Sequence, residues 1–509
     1  MPTPSTDRTY DALIVGSGAG GAAAAHRLVR AGLDVLLLEK GPELPRDSST
    51  LDFRTVVQEG RFKSREPWLD ARGRTLEPEE HFNVGGKTCW YGAALLRFAP
   101  EEFAADLAHQ CRAWPIAHGD MLPWYEQAEQ ELGVRQFSPE PNLARIIGRL
   151  GRGADRGKFG SEPNFRGGWR SEPLPLGLDP AILRNEHEAR HFDGFASVQG
   201  LKADAVRVFL DPLRGLGNYT LTTGEEVIAL IGAADRPEEI TGVRTASGAV
   251  FRARSVVLAA GALHTPRLVQ RYLRSTGLDR SLPAAGHVGR NLKLHLLTAV
   301  LALSGARQTD LLRKTTYLTH GALPHSSVQP LGFDGELLGT LIPAIVPRPI
   351  ARAIGDRAYG FFLQTEDGSH PDNRVVDAGA GTAPLLDYDA ARLAPADAEH
   401  GRLVAQLRRS LARAGMIAFS KRIGLAGTAH ACGTMIAGRD ASDSVVDASG
   451  RIHGMDGIYV VDGSVLPRSS RVNPSLSIYG WSLRVADQLA TRLQRGQAAA
   501  LQATHRVPA

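Results

Sequence analysis

The sequence predicts an α/β fold (α+β overall), and three observations lead to that prediction. Tyr10–Val15 is a short apolar run suited to a buried parallel strand, and a glycine-rich turn follows it directly. Residues 22–30 have the small residues of a helix that packs closely on a sheet, and Val35–Leu38 predicts a second strand ending at Glu39. The stretch 255–266 repeats the order of apolar strand, glycine and helix. This order is typical of a parallel sheet covered by helices.

Composition excludes several classes of protein. The chain has 509 residues, of which 43% are hydrophobic and 22% charged, so we expect a large core divided into two associated lobes. The net charge is only +5 and the basic residues are dispersed, which argues against nucleic acid as a partner. Cys89, Cys111 and Cys432 are too few and too scattered for a disulfide framework or a structural zinc site. No segment resembles a signal peptide or a spanning helix, so we expect no membrane span, no metal and a cytoplasmic location.

The turn after the first strand has the G-x-G-x-x-G pattern of a Rossmann-like dinucleotide site. It consists of Gly16, Ser17, Gly18, Ala19, Gly20 and Gly21. Gly16 permits the tight turn, Gly18 lets backbone N–H groups approach a pyrophosphate, and Gly21 allows close contact between helix and strand. Glu39 is placed to accept hydrogen bonds from an adenosine ribose. No second such motif follows a strand in mid-chain, so one dinucleotide is predicted, and the motif alone leaves NAD and FAD open.

Three further segments carry signals that gain meaning only when they are taken together. Gly85 and Gly86 let a loop pass close to such a ligand, although a tight turn explains the same residues. Ala260 and Gly261 end an apolar strand and precede a helix that begins near Pro266. The third segment places an acid, Asp462, at a strand end and an amide, Asn473, before a helix.

His430 lies two residues before Cys432 and allows three interpretations. A metal site would need two more ligands, and neither of the other cysteines lies in a ligand-spaced cluster. A lone histidine is most often a core or surface residue. An imidazole can also accept a proton at neutral pH, so a catalytic base is the third interpretation.

These segments together resemble the glucose-methanol-choline (GMC) family of FAD-dependent oxidoreductases. The matches follow the family's order along nearly the whole chain: the N-terminal glycine turn, Gly85–Gly86, 260–266, 288–292, 430–434, 461–462 and 473–474. The resemblance implies FAD as cofactor, with 85–93 along the isoalloxazine, Glu226–Val227 beside the adenine, and Asp462 near the ribityl and pyrophosphate groups. The implied cofactor-binding residues are Gly16, Ser17, Gly18, Ala19, Gly20, Gly21, Glu39, Gly85, Gly86, Tyr91, Gly92, Ala93, Val227, Ala260, Gly261, Asp462, Gly463, Pro474 and Ser475.

The resemblance also implies the reaction, which is oxidation of an alcohol to a ketone or aldehyde. His430 would take the hydroxyl proton, Asn473 would hydrogen-bond to the developing alkoxide, and a hydride would pass to flavin N5. The electron acceptor stays open between oxygen, a quinone and another partner. The alternatives are a flavin-containing lyase of the hydroxynitrile type, oxidation of a sterol or aliphatic alcohol, and a binding protein without turnover.

Two departures from the family pattern refine the expectation. Trp90 stands where some members carry the histidine that links FAD covalently, so we expect non-covalent FAD. Tyr91 replaces an asparagine found in many members, and an aromatic residue followed by Gly92 and Ala93 resembles members that act on sugars, glycosides or aminocyclitols. The polar turn 366–370 offers hydrogen-bonding groups that favour the same hydroxyl-rich substrates.

The motif order predicts a discontinuous organisation. Residues 1–100, 200–295 and 425–495 are expected to form one Rossmann-like FAD-binding domain. Residues 101–199 and 296–424 are expected to form a substrate-binding domain on a mostly antiparallel sheet, with a lid-like excursion over 136–190. Strands are predicted at 361–366 and 373–376 and a helix at 396–415, and residues 496–509 are expected to be a flexible tail.

Overall fold

The structure is a computed structural model that describes residues 5–151, 168–340, 342, 345–379 and 381–504. Part of the predicted lid-like excursion, residues 152–167, therefore lies outside the described residues. The helices are α1 Ala19–Arg30, α2 His118–Glu131, α3 Pro141–Leu150, α4 Glu186–Arg190, α5 Thr265–Thr276, α6 Gly335–Thr340, α7 Arg348–Gly355, α8 Ala394–Arg413 and α9 Ser475–Thr504. The strands are β1 Thr9–Val15, β2 Val35–Glu39, β3 Trp68–Asp70, β4 Thr75–Leu76, β5 Trp169–Pro173, β6 Tyr219–Thr223, β7 Val227–Gly232, β8 Ile240–Thr245, β9 Val250–Leu258, β10 Leu296–Leu303, β11 Thr316–His320, β12 Leu323–Pro330, β13 Ala358–Thr365, β14 Arg374–Val376, β15 Leu385–Asp387, β16 Ile417–Arg422 and β17 Ile458–Val460.

A seven-stranded sheet carries the predicted Rossmann-like unit. Its order is β6-β2-β1-β9-β8-β7, with β17 paired to β9. The pairings among β6, β2, β1, β9 and β17 are parallel, whereas β8 pairs with β7 and β9 in antiparallel fashion. Strands β1 and β2 are almost wholly buried because helices cover them, and α1 packs against α9. The predicted α/β class with a Rossmann-like unit is confirmed.

A six-stranded sheet is antiparallel throughout, with the order β16-β10-β13-β12-β11-β5. Helix α8 packs on it, and Leu403, Leu407 and Leu411 of that helix join a second hydrophobic core with Phe361 and Leu363 of β13. Both the predicted strand near 361–366 and the predicted helix near 396–415 are present. The prediction of a mostly antiparallel second sheet is confirmed.

A four-stranded sheet, with the order β14-β15-β3-β4, joins distant parts of the chain. Strand β15 pairs with β3 in parallel, so residues 385–386 lie beside residues 69–70. The strands of the seven-stranded sheet fall in the segments assigned to the FAD-binding domain, and those of the six-stranded sheet fall in the substrate segments. The small sheet draws strands from both sets, and the division into domains stays a prediction.

Helix α9 extends further than the sequence suggested. It continues to Thr504, through residues 496–504 of the segment expected to be a flexible tail, and residues 505–509 lie outside the described part. Among the helices of the described residues, none has the combination of length and apolar character needed to cross a membrane.

Candidate active site

A cavity of about 500 Å³ opens at the carboxyl ends of the parallel strands. Residues that directly follow β1, β2, β9 and β17 line it, which is where ligands bind in open α/β sheets. Its lining includes Glu225–Ile228, at the start of β7, and the neighbouring residues Phe362, His430 and Asn473.

The glycine turn forms the middle of the cavity. A Cβ on Gly16, Gly20 or Gly21 would overlap a backbone carbonyl oxygen, of Ala259, Val461 and Gly16 respectively, so these glycines permit the predicted close packing. Gly18 is different, because a Cβ there would meet nothing within 4 Å, and its position faces the cavity. Helix α1 has no side-chain N-cap and no acidic residue in its first turn. Its N-terminus therefore offers uncapped N–H groups and a positive dipole end to an anion such as a pyrophosphate.

Glu39 lies in the cavity wall at the end of β2 and is 7% exposed. Its Oε2 accepts hydrogen bonds from the backbone N (3.0 Å) and Oγ (2.6 Å) of Ser17, and its Oε1 accepts one from the N of Gly41. Burial raises the pKa of this carboxyl group. A carboxylate has further lone-pair sites, so Glu39 can still accept a hydrogen bond from a ligand hydroxyl.

Asp462 plays a similar part at the end of β17. It accepts hydrogen bonds from the N of Gly261 (2.9 Å), the Oγ1 of Thr265 (2.5 Å) and the N of Ser464 (2.9 Å). Through these hydrogen bonds, the carboxylate of Asp462 connects the turn before α5 with the segment between β17 and α9. Gly261 has φ +84° and, like Gly18, open space where its Cβ would be. The turn can therefore approach a ligand closely.

The loop with the twin glycines packs on the glycine turn. Gly85 and Gly86 both have positive φ, and the N of Gly85 donates to Ser17 Oγ at 3.0 Å. A Cβ on Gly86 would lie 3.5 Å from the Cα of Gly18. Trp90 follows in the same loop, stacks on His81 at 4.9 Å and donates from Nε1 to Asn83. The indole is thus held by packing and a hydrogen bond.

The structure brings most of the predicted cofactor residues to one cavity. The residues that line it are Gly16, Ser17, Gly18, Ala19, Gly20, Glu39, Gly86, Tyr91, Gly92, Val227, Ala260, Gly261, Asp462, Gly463, Pro474 and Ser475. Gly21, Gly85 and Ala93 are not in its lining. They lie behind the wall: Gly21 presses on the backbone of the glycine turn, Gly85 contacts Ser17, and Ala93 is fully buried in the main core.

His430 and Asn473 meet in the wall of the cavity. Asn473 Nδ2 lies 3.4 Å from His430 Nε2, and His430 Nδ1 lies 3.1 Å from His295 Nδ1. The pKa of His430 is lowered well below its usual value, chiefly because burial disfavours the imidazolium. A proton on His295 would lower it further, and the charges of Lys314 and Lys87 do so as well. The imidazole is therefore neutral at neutral pH and able to accept a proton.

Several residues in the same wall were not identified from the sequence. Gln329 Nε2 donates to Asn473 Oδ1 at 2.5 Å, which turns the amide nitrogen of Asn473 toward His430. Lys314 and Asp193 form a buried ion pair at 2.9 Å in the cavity wall, opposite Gly92. A glycine at 92 is required there, because a Cβ would overlap the carboxylate of Asp193. Only tertiary contacts reveal these residues, which carry no local motif.

The turn 366–370 has a structural role that differs from the expectation. Glu366 and Asp367 are fully buried and do not line the cavity. Glu366 forms an ion pair with Arg468, and Asp367 accepts hydrogen bonds from the N of Leu294 and the Oγ of Ser469. The polar groups of this turn therefore hold the scaffold together, and they supply no argument about the substrate.

The structure also bears on the metal interpretation of the cysteines. Cys432 is fully buried beside the site, and burial raises the pKa of its thiol. Within the described residues, Cys111, His325 and Glu366 lie close enough to hold a metal ion. Arg468 already pairs with both oxygens of Glu366, and burial raises the pKa of Cys111, so this group suits an internal ion-pair network better than a cation.

The chain belongs to the GMC oxidoreductase family. Residues 168–297 and 373–482 match domains described as "GMC oxidoreductase", and residues 11–172 match "FAD dependent oxidoreductase". The chain is 31% identical to 6'''-hydroxyparomomycin C oxidase of Streptomyces lividus, over 97% of this chain and 94% of that protein. It is 30% identical to paromamine 6'-oxidase of Streptomyces fradiae, over 96% and 92% of the two chains.

Solved structures support the fold. Pyridoxine 4-oxidase from Mesorbium loti matches with a TM-score of 0.64 and 21% identity, over 94% of this chain and 99% of that one. A formate oxidase variant of Aspergillus oryzae matches with a TM-score of 0.64 and 15% identity, over 95% and 98%. The protein is therefore an FAD-dependent oxidoreductase that acts on alcohol groups, and the predicted family, cofactor and enzyme class are confirmed.

The cavity residues fit FAD. The uncapped end of α1 with Gly18 suits the pyrophosphate, and Glu39 suits the adenosine ribose. Val227, Tyr91 and Gly92 also line the cavity, together with His430. The lining is therefore compatible with a dinucleotide.

Proposed function

We propose that the protein oxidises a hydroxyl group of an amino sugar, or of a related glycoside or cyclitol, to an aldehyde or ketone. The observation that carries this proposal is the pairing of His430 and Asn473 in the wall of the FAD cavity. The names of the two relatives above, which refer to a hydroxyparomomycin and to paromamine, support the substrate class.

His430 and Asn473 divide the work at the hydroxyl group. The neutral Nε2 of His430 takes the hydroxyl proton, and the Nδ2 of Asn473 donates a hydrogen bond to the oxygen as negative charge develops. Gln329 fixes the amide so that this nitrogen faces the reacting oxygen. When bound, FAD supplies the hydride acceptor, at its N5 atom. The geometry required of the protein is therefore a base and a donor that converge on one oxygen atom.

The cavity wall around this pair suits a polar substrate with an apolar face. The apolar side chains of Leu331, Phe333 and Phe362 line the same cavity. Asp193 and Lys314 add one acceptor and one donor group to that wall. These two groups pair with each other, and each keeps hydrogen-bonding capacity that a substrate with several hydroxyl or amino groups can use, whereas a sterol cannot.

Three finer points belong to the same proposal. We propose that molecular oxygen is the electron acceptor, because both relatives are named oxidases.

We propose that FAD is bound non-covalently, because the indole of Trp90 cannot act as the nucleophile that forms a covalent bond to the flavin. Acid precipitation should then release the flavin into solution. Flavin retained in the protein pellet would contradict this proposal. We also propose that the discontinuous FAD-binding and substrate-binding segments form the two functional domains.

Anaerobic stopped-flow spectroscopy tests the proposed function. The purified holoenzyme is mixed with paromamine-type amino sugars, neutral glycosides, cyclitols, sterols, choline and simple primary alcohols, and bleaching of the oxidised flavin is followed. We expect bleaching by amino sugars or related polyols, with hydrogen peroxide formed when air is admitted. Bleaching by a sterol or an aliphatic alcohol alone would reject the substrate class. Cleavage of a cyanohydrin without bleaching by any alcohol would indicate the lyase instead.

A further inference from the structure

A chain of ring and amide hydrogen bonds runs behind His430 and ends at a backbone carbonyl. His295 Nε2 lies 2.7 Å from the carbonyl oxygen of Ser470, and His295 Nδ1 lies 3.1 Å from His430 Nδ1. His430 Nε2 then faces Asn473. The direction of donation along this chain decides which nitrogen of His430 carries the proton.

The two ends of the chain fix that direction. A carbonyl oxygen can only accept, so the Nε2 of His295 must carry hydrogen and donate to Ser470. At the other end the Nδ2 of Asn473 faces the Nε2 of His430, so this Nε2 is the accepting nitrogen and the hydrogen of the neutral His430 ring lies on Nδ1. The Nδ1–H of His430 then donates to the Nδ1 of His295, which is buried and, in the described part of the chain, contacts no carboxylate.

We propose that His295 is a positioning residue that holds His430 in the tautomer with hydrogen on Nδ1, so that the lone pair of Nε2 faces the substrate. This inference rests on the proposed role of His430 as the base. It adds that His295 prepares the base before the substrate binds and accepts a stronger, charge-assisted hydrogen bond once His430 has taken the proton.

The surrounding scaffold supports a dedicated placement of this acceptor. His295 and Ser470 both have positive φ, of +63° and +70°, which non-glycine residues adopt rarely and only when the structure enforces it. Glu366 accepts a hydrogen bond from the N of Ser470, and Asp367 accepts one from the N of Leu294. The buried acids of the turn 366–367 thus hold the two strained residues in contact.

The opposite tautomer would require a different network. Hydrogen on Nε2 of His430 would need a protonated His295 as donor and the amide of Asn473 reversed, with its oxygen toward His430. Gln329 Nε2 donates to Asn473 Oδ1 in the structure, which places the Asn473 nitrogen toward His430. Both ends of the chain therefore favour the same tautomer.

Nuclear magnetic resonance tests the tautomer without any substrate. Holoenzyme labelled with ¹⁵N-histidine is examined by long-range ¹H–¹⁵N correlation at neutral pH, and His430 is assigned by comparison with His430→Gln. We expect Nδ1 of His430 protonated and Nε2 unprotonated. A spectrum with hydrogen on Nε2 overturns the proposal. Because no turnover is involved, this result stands even if the proposed substrate class or the role of His430 fails.

A matched pair of variants tests the acceptor itself. His295→Asn places an oxygen near the position of Nδ1 and tolerates positive φ, whereas His295→Leu has a similar shape and no acceptor. At saturating substrate we expect flavin reduction about 10- to 100-fold slower in the Leu variant and within about threefold of wild type in the Asn variant, with substrate affinity little changed in both. Bound FAD and the thermal midpoint serve as controls. An equal loss of flavin-reduction rate in both variants would refute an acceptor role for His295. The same holds if the Leu variant binds FAD and keeps the full rate. If the Leu variant does not fold, the tautomer measurement decides.

Discussion

At the scale of single residues, the chemistry depends on a neutral imidazole in a wall that also holds cations. Lys314 and Lys87 lie near enough to His430 to oppose its protonation, and burial opposes it more strongly. Lys314 is itself paired with Asp193, which keeps the cation in place without giving His430 an acidic partner. The imidazole of His430 is therefore neutral before the substrate binds at neutral pH.

Replacement of His430 by glutamine removes the base and keeps a polar side chain of similar size. We expect the rate constant for flavin reduction to fall about 10²-fold or more, the usual scale for loss of a general base. Anaerobic stopped-flow measurement with the best substrate gives this value. His320→Gln is the control, because His320 is buried in the six-stranded sheet outside the cavity. Reduction at the wild-type rate in His430→Gln would return His430 to a packing role.

The lowered pKa of His430 gives the pH dependence a definite sign. The neutral base is present above the lowered pKa and is lost as the pH falls through it. The reduction rate should therefore be constant across neutral pH and decline only below the ordinary imidazole value of about 6.5. A pH series of single-turnover reductions measures this decline, which should be absent in His430→Gln. A decline centred above pH 7 would mean that another group controls proton transfer.

At the scale of elements, local signals predicted the first strand, helix and second strand well. Strands β1 and β2 and helix α1 have bounds close to those expected, because an apolar strand, a glycine turn and a small-residue helix are all encoded within residues 9–39. Contacts between distant segments were not predictable in the same way. The four-stranded sheet pairs residues near 69 with residues near 385, and nothing in either short stretch specifies the other.

The same dependence on contacts between distant segments explains why the role of the turn 366–370 was predicted wrongly and why His295 was not identified. Glu366 and Asp367 have the composition of an exposed polar turn, yet Arg468, Ser469 and Leu294, remote in sequence, draw them into the interior. His295 carries no motif that distinguishes a tautomer-setting residue from an ordinary histidine. Motifs thus identify the candidate cofactor-binding and catalytic residues, whereas the residues that orient those groups emerge only from the folded structure.

Two glycines of the turn before α1 provide an element-scale prediction. Gly18→Ala places its Cβ in the cavity without touching the protein, and its φ of −65° suits alanine. We expect wild-type stability of the apoprotein and FAD affinity at least about tenfold weaker. Gly20→Ala makes its Cβ overlap the carbonyl oxygen of Val461, so we expect a loss of about 1–3 kcal/mol in the free energy of unfolding. Denaturant titration measures the effect on stability, and FAD titration measures the effect on affinity. Equal FAD affinity in wild type and Gly18→Ala would show that the pyrophosphate does not lie beside Gly18.

At the scale of the whole molecule, the cavity is built from segments that are far apart in sequence. Its wall takes residues from 15–40, 79–94, 225–228, 259–271, 429–431 and 462–478. An unfolded chain cannot present these groups together, so FAD binds the folded state alone. Cofactor binding and folding are then thermodynamically linked.

This linkage predicts that the stability of the protein depends on FAD concentration. Removal of FAD should lower the thermal midpoint, and added FAD should restore it, with a stabilisation of about 2.7 kcal/mol when free FAD is 100-fold above its Kd. Differential scanning calorimetry of the apoprotein across an FAD titration measures the effect. Riboflavin is a suitable control, because it lacks the pyrophosphate and adenosine that the end of α1 and Glu39 are placed to hold, and it should stabilise the protein much less at equal concentration. The thermal midpoint of Gly18→Ala should rise only at higher FAD concentrations. A wild-type midpoint that does not change with FAD would mean that the cavity is not the FAD site.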